Sequence, residues 1–140
     1  MIKEIVHDEE ALAIPAEPAT AEDAQVAQDL LDTLESLNGD AIMLAANQIG
    51  SNKAIIAYFS ASGKPRALFN PSIKMAMRPQ NKLEGCLSLN RDTAVKRFQT
   101  ITVAYDELQD GKLVACSRKF TDFTAQAIQH GIDHCKGVIV

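Results

Sequence analysis

No apolar run in this 140-residue chain approaches the roughly 20 residues a bilayer-spanning helix needs. The opening MIKEIVHDEE is broken by acids and lacks the apolar stretch of a secretory signal, so a cytoplasmic protein is expected. Excess positive charge is also missing. Net charge is −4 and the pI about 5.3, and the basic residues are scattered apart from Lys96-Arg97 and Arg118-Lys119. That pattern excludes a broad nucleic-acid-binding face, and no sequence-specific nucleic-acid contact is expected. Cysteine is scarce: Cys86, Cys116 and Cys135 are odd in number and suggest no disulfide framework. In a reducing compartment such thiols are free or bind metal. Internal repeats and low-complexity segments are absent.

What remains is an ordinary globular composition, 46% apolar and 23% charged, and the length fits one domain spanning 1–140. Thr20 followed by Ala21, Glu22 and Asp23 reads as a capped helix start with acids facing the positive end of the dipole. Val26, Leu30, Leu34 and Leu37 then recur at helical spacing until Asn38-Gly39, which predicts a helix over about 21–37. AIMLAANQIG (41–50) is apolar, rich in small residues, and leads into a turn. AIIAYF (54–59) and RALFNPSI have strand composition, with Pro71 expected at a strand end or edge. Alternation in TITVAYDEL, the Asp110-Gly111 turn and KLVACSRKF predict a hairpin. TDFTAQAIQHGIDHCKG (121–137) reads as a closing helix, with Thr121 or Asp122 as cap and Phe123, Ala127 and Ile128 as inward candidates. Helix, strands and helix without regular βαβ alternation make the class α+β.

Chemistry concentrates in QHGIDH, where His130 and His134 share one helical face. Such a pair is half of a metal site, and equally a pair of surface or hydrogen-bonded histidines. A third ligand decides. His7 sits in a polar stretch, Cys116 in mid-strand, and Cys135 about 100° round the helix from His134. Cys86 differs in lying in a non-helical, glycine-bearing segment, LEGCLSLN, with an acid two residues before it, but a free cysteine on its own is more often a small core residue than a ligand.

Three segments taken together change that balance. LAANQIG (44–50), EGCLS (84–88) and HGIDH (130–134) resemble, in order and separation, the three motifs of the peptide deformylase family. VKRFQTITVAYDEL and FTAQAIQHGIDHCKGVI also look like that family's central strands and metal helix, so the likeness runs from about residue 4 onward. The resemblance implies mixed or antiparallel sheets around a central metal-binding helix, with an N-terminal helix before them. It implies one divalent metal ion, natively Fe²⁺ and often Zn²⁺ or Ni²⁺ after purification, held by Cys86, His130 and His134. Three protein ligands leave a position open, as a catalytic site requires. The implied activity removes the formyl group from formyl-methionyl nascent peptides. Gln48 and the Leu87 backbone N–H would polarise the formyl oxygen. Ile42, Met43, Leu44, Glu84 and Gly85 would line the substrate. Asp133 would pair with Arg97 and brace the helix. Transient ribosome association and a monomer or weak dimer follow from the same likeness, and no membrane partner does.

The departures carry as much information. The family has glutamate where this chain has Gly131, and that glutamate takes the proton from the attacking water. A positioned general base contributes about 10²–10⁴ in rate. Three readings stay open: a substitution introduced to trap an inactive form, a natural metal- or peptide-binding homologue without hydrolysis, and takeover by a group such as Glu84 through a water. Ala41 and Met43 stand where the family usually has glycines, and a methionine there would narrow the cleft. Asn90 stands where many members have proline nearby, and the sequence stops at Val140 without the C-terminal helix that many bacterial members carry, so a short, divergent branch is expected.

Overall fold

Strands that are apolar on both faces give this protein its central layer. A computed structural model of the chain describes residues 1–86 and 91–138, with the side chains of Cys86 and of residues 91–93 outside that description. Five strands, β1 (Met43–Ala45), β2 (Ile55–Phe59), β3 (Pro65–Cys86), β4 (Arg91–Gln109) and β5 (Lys112–Thr121), form one sheet in the order β1-β2-β3-β4-β5. All four ladders are antiparallel, so the sheet is a simple meander. Helices α1 (Glu9–Leu12), α2 (Ala24–Ser36) and α3 (Asp122–Cys135) accompany it. Mixed helix and antiparallel sheet is the α+β class that the sequence implies.

Period-two alternation sorts the strand residues between two cores. Leu44, Ile55, Ala57 and Phe69 pack with Leu30 and Leu34 of α2. Met43, Ala45, Ile56, Tyr58 and Leu68 pack with Ala125, Ile128 and Ile132 of α3. The continuous apolar run of β2 is therefore explained by a helix covering each face. Burying Ile128 and Ile132 almost completely contributes about 1.5–3 kcal/mol each to holding α3 on the sheet.

Local chemistry sets the element ends. Thr20 accepts from the Glu22 N–H at 3.3 Å while Asp23 Oδ2 accepts from the Thr20 N–H at 2.8 Å, a reciprocal cap. The first turn, Ala21–Asp23, is a tighter 3₁₀ turn, so α2 itself begins at Ala24. Asp110 and Gly111 both have positive φ, 49° and 78°, as a two-residue type I′ hairpin requires. Pro71 falls inside β3 rather than at its end. A register shift between Phe69 and Ser72 places it in a bulge, where its missing N–H breaks no ladder bond. Asn70 holds that bulge, donating to Ala19 O at 2.9 Å and accepting from the Ala19 N–H at 2.7 Å.

One expectation about α3 fails. Phe123 is 64% exposed, whereas Ala125, Ile128 and Ile132 face inward. Position 123 precedes Ile128 by five residues and so lies well round the helix from that stripe.

Candidate metal centre

The inward stripe of α3 carries His130 and His134 into the protein with it. The two rings are 7% and 1% exposed as residues, and their centroids lie 5.0 Å apart. Their Nε2 atoms converge to 3.1 Å. Two imidazole nitrogens on one tetrahedral cation, each at about 2.0–2.1 Å, would stand roughly 3.3 Å apart.

A buried chain of charge runs away from this pair. Glu84 of β3 places Oε1 2.9 Å from His130 Nδ1. Arg97 of β4 donates Nε to both Glu84 oxygens, at 3.0 and 2.9 Å, and Nη2 to Oε1 at 2.7 Å. Its Nη1 reaches Asp133 Oδ2 at 2.7 Å, tying the sheet to the helix between the two histidines. Burial alone would raise the Glu84 carboxyl, but hydrogen bonds from His130 and Arg97, with their charges, hold it at about 2. Burial would likewise lower the Arg97 guanidinium, and its two carboxylate partners raise it instead. An ionised Glu84 only accepts, so Nδ1 of His130 carries the hydrogen between them, and a neutral ring then has its lone pair on Nε2, the nitrogen that faces His134.

Backbone anchors fix the helix in this position. Gln129 matches the Phe98 peptide in both directions, accepting from its N–H and donating to its carbonyl, each at 2.8 Å. Asn47 donates to the His134 carbonyl at 3.0 Å. Asn47 lies within LAANQIG and Gln129 opens QHGIDH, but the sequence assigns neither this anchoring role; a buried amide within an apolar helical stripe is the one signal that could have found Gln129.

The other predicted residues take varied places. Gln48 is buried in a 3₁₀ turn (Ala46–Ile49), and its Oε1 accepts from the Ala45 N–H at 2.9 Å. Ile42 packs against the α3-side core, Met43 belongs to that core, and the Leu44 side chain faces α2. Glu84 turns its carboxylate inward to Arg97 and His130, and Gly85 pairs with Asp92 in the hairpin of β3 and β4. Cys86 ends β3 opposite Arg91, with its side chain and all of Leu87 outside the described residues. Among the described side chains, no group of three or more metal-binding residues assembles. Burial pushes the Cys135 thiol up to about 12.

Gly131 lies within the α3-side core. A Cβ added there would stand 2.8 Å from Met43 Sδ, with Ile56 Cγ2 at 3.1 Å and Cδ1 at 3.2 Å.

With two buried imidazoles converging, and one of them oriented by a carboxylate, the donor set suits a borderline divalent cation such as Fe²⁺ or Zn²⁺. Comparison with known proteins points the same way. The family model described as polypeptide deformylase matches residues 2–140. A peptide deformylase from Clostridium beijerinckii is 39% identical over 140 residues, covering 100% of both chains. Another, from Heliobacterium modesticaldum, is 40% identical over 113 residues, 79% of this chain and 70% of its own. The crystal structure of a peptide deformylase from Legionella pneumophila superposes with a TM-score of 0.86, over 99% of this chain and 83% of that one, at 25% identity.

Proposed function

Because this chain belongs to the polypeptide deformylase family, we propose that it is a metal-dependent deformylase-type hydrolase whose turnover is impaired by glycine at position 131. The family acts on formyl-methionyl peptides and uses a divalent metal ion. The observation that carries the reading to this chain is the pair of Nε2 atoms at 3.1 Å, with the opposite nitrogen of His130 held by Glu84.

Cys86, His130 and His134 would hold the ion, Fe²⁺ in the native protein. When bound, the ion supplies Lewis acidity and makes water acidic enough to ionise near neutral pH. The chain's own residues do the rest. Glu84 keeps the His130 tautomer that offers a lone pair, and Arg97 keeps Glu84 ionised. Gln48, its carbonyl end tied to Ala45, would direct its amide N–H toward the formyl oxygen, together with the Leu87 N–H. Among the described residues β1 is an edge strand, paired only with β2, and a formyl-methionyl peptide could lie along it as a further strand, past Ile42, Met43 and Leu44.

No proton acceptor stands at Gly131, and Glu84 is a poor substitute. Both its oxygens already accept from Arg97, and a carboxyl held at about 2 is a weak base at neutral pH. The second reading, a metal- and peptide-binding homologue without hydrolysis, is favoured by the packing that closes over Gly131.

Elemental analysis of anaerobically purified protein, paired with a formyl-Met-Ala-Ser assay on the same samples, tests both. The first reading expects close to one metal per chain and slow but measurable turnover. Full metal occupancy with no turnover selects the second, and protein that takes up no metal defeats both.

A further inference from the structure

Two departures that lie far apart in sequence meet in space. A Cβ at position 131 would stand 2.8 Å from the Met43 sulfur, closer than non-bonded atoms of that kind approach. Ile56 closes the same space with carbons at 3.1 and 3.2 Å, and it is fully buried. The sheet register explains the convergence. Met43 pairs with Tyr58 and Ala45 with Ile56, and all four face α3. The thioether thus fills the space in which any side chain at 131 would begin.

We propose that Met43 and Gly131 form one packed unit, in which Met43 decides whether position 131 can carry a side chain. A base restored at 131 then needs the Met43 thioether to move aside or be replaced. Only the chemical consequence rests on the deformylase reading above; the packing does not. Met43 is the residue that can give way, because its side chain is unbranched and flexible, whereas Ile56 is branched and enclosed.

The test uses a change of sign. Replacing glycine by alanine inside a helix ordinarily stabilises it. Here Gly131→Ala should lower the thermal midpoint of the otherwise unaltered protein, by on the order of 2–5 °C. In a Met43→Ala background the same substitution should raise it. Should that background unfold without cooperativity, Met43→Val also removes the sulfur and should show the same reversal. Stabilisation by Gly131→Ala in both backgrounds, or an equal loss in both, overturns the proposal.

A second arm measures formyl-Met-Ala-Ser turnover at equal metal content. Gly131→Glu alone should stay near the parent rate, and Met43→Ala with Gly131→Glu should exceed it by about 10² or more. Full recovery from Gly131→Glu alone overturns the proposal. A sign reversal in stability with a metal-loaded but inactive double variant upholds the packing and counts against the deformylase reading instead.

Discussion

Glu84 Oε1 stands 2.9 Å from Nδ1 of His130 and receives Nη2 of Arg97 at 2.7 Å, so one carboxylate oxygen serves a histidine and an arginine together. The two partners do different things. Arg97 neutralises a carboxylate that is only 5% exposed, while His130 gains an acceptor that fixes its tautomer and ring orientation. Asp133, at the other end of Arg97, is more open, with 24% of its side chain exposed.

That asymmetry separates the effects of two isosteric substitutions. Glu84→Gln removes the charge facing both His130 and Arg97, and it should weaken metal binding by about 10–100-fold. Asp133→Asn loses one partly exposed pair and should change metal affinity much less. Competition against a chelator of known affinity, run on both variants, measures the difference. Equal affinities for Glu84→Gln and the parent would remove Glu84 from the site.

Gln129 offers a prediction about the scaffold. Its amide bonds both backbone groups of Phe98 and donates again to Ala125 O at 2.9 Å, so it acts as a short extra rung between α3 and β4. Gln129→Leu would keep the bulk and leave the Phe98 N–H and carbonyl without their partner. A fully buried group so abandoned costs about 1–3 kcal/mol, and these two are only part-buried. Urea unfolding should show a loss of roughly 1–3 kcal/mol, with an unchanged m-value if the folded state keeps its shape. A loss below about 0.5 kcal/mol, the range of ordinary surface substitutions, would mean that the rung is not structural.

The strands and the main helices were legible because their signals are local. A capped start at Thr20, the Asp110-Gly111 turn and the spacing of Leu30 and Leu34 each act within a few residues. Phe123 misled because an aromatic near a helix start carries no record of which stripe the sheet will cover. The inward face of Glu84 was hidden for a related reason. An acid two residues before a cysteine gives no sign that Arg97, thirteen positions later in the neighbouring strand, will neutralise it. Met43 and Gly131 were each visible as departures, but their contact follows from the register of β1 on β2 beneath α3, which no spacing in the chain encodes.

The three cysteines make the ligand assignment testable without reference to turnover. A thiol binds metal as thiolate, so its surroundings must allow the proton to leave. Cys116 lies on β5, where its thiol donates to Glu107 Oε2 at 3.8 Å, and among the described side chains neither it nor Cys135 joins His130 and His134 in a group that could hold a metal ion. Cys86→Ala should therefore abolish metal uptake, while Cys116→Ala and Cys135→Ala should each retain close to one ion per chain. Cobalt substitution sharpens the reading, because a thiolate ligand gives a sulfur-to-metal charge-transfer band in the near ultraviolet. That band should be present in the parent and in both control variants, and absent in Cys86→Ala. Retention of the band in Cys86→Ala, or its loss in Cys135→Ala, would move the third ligand to another residue.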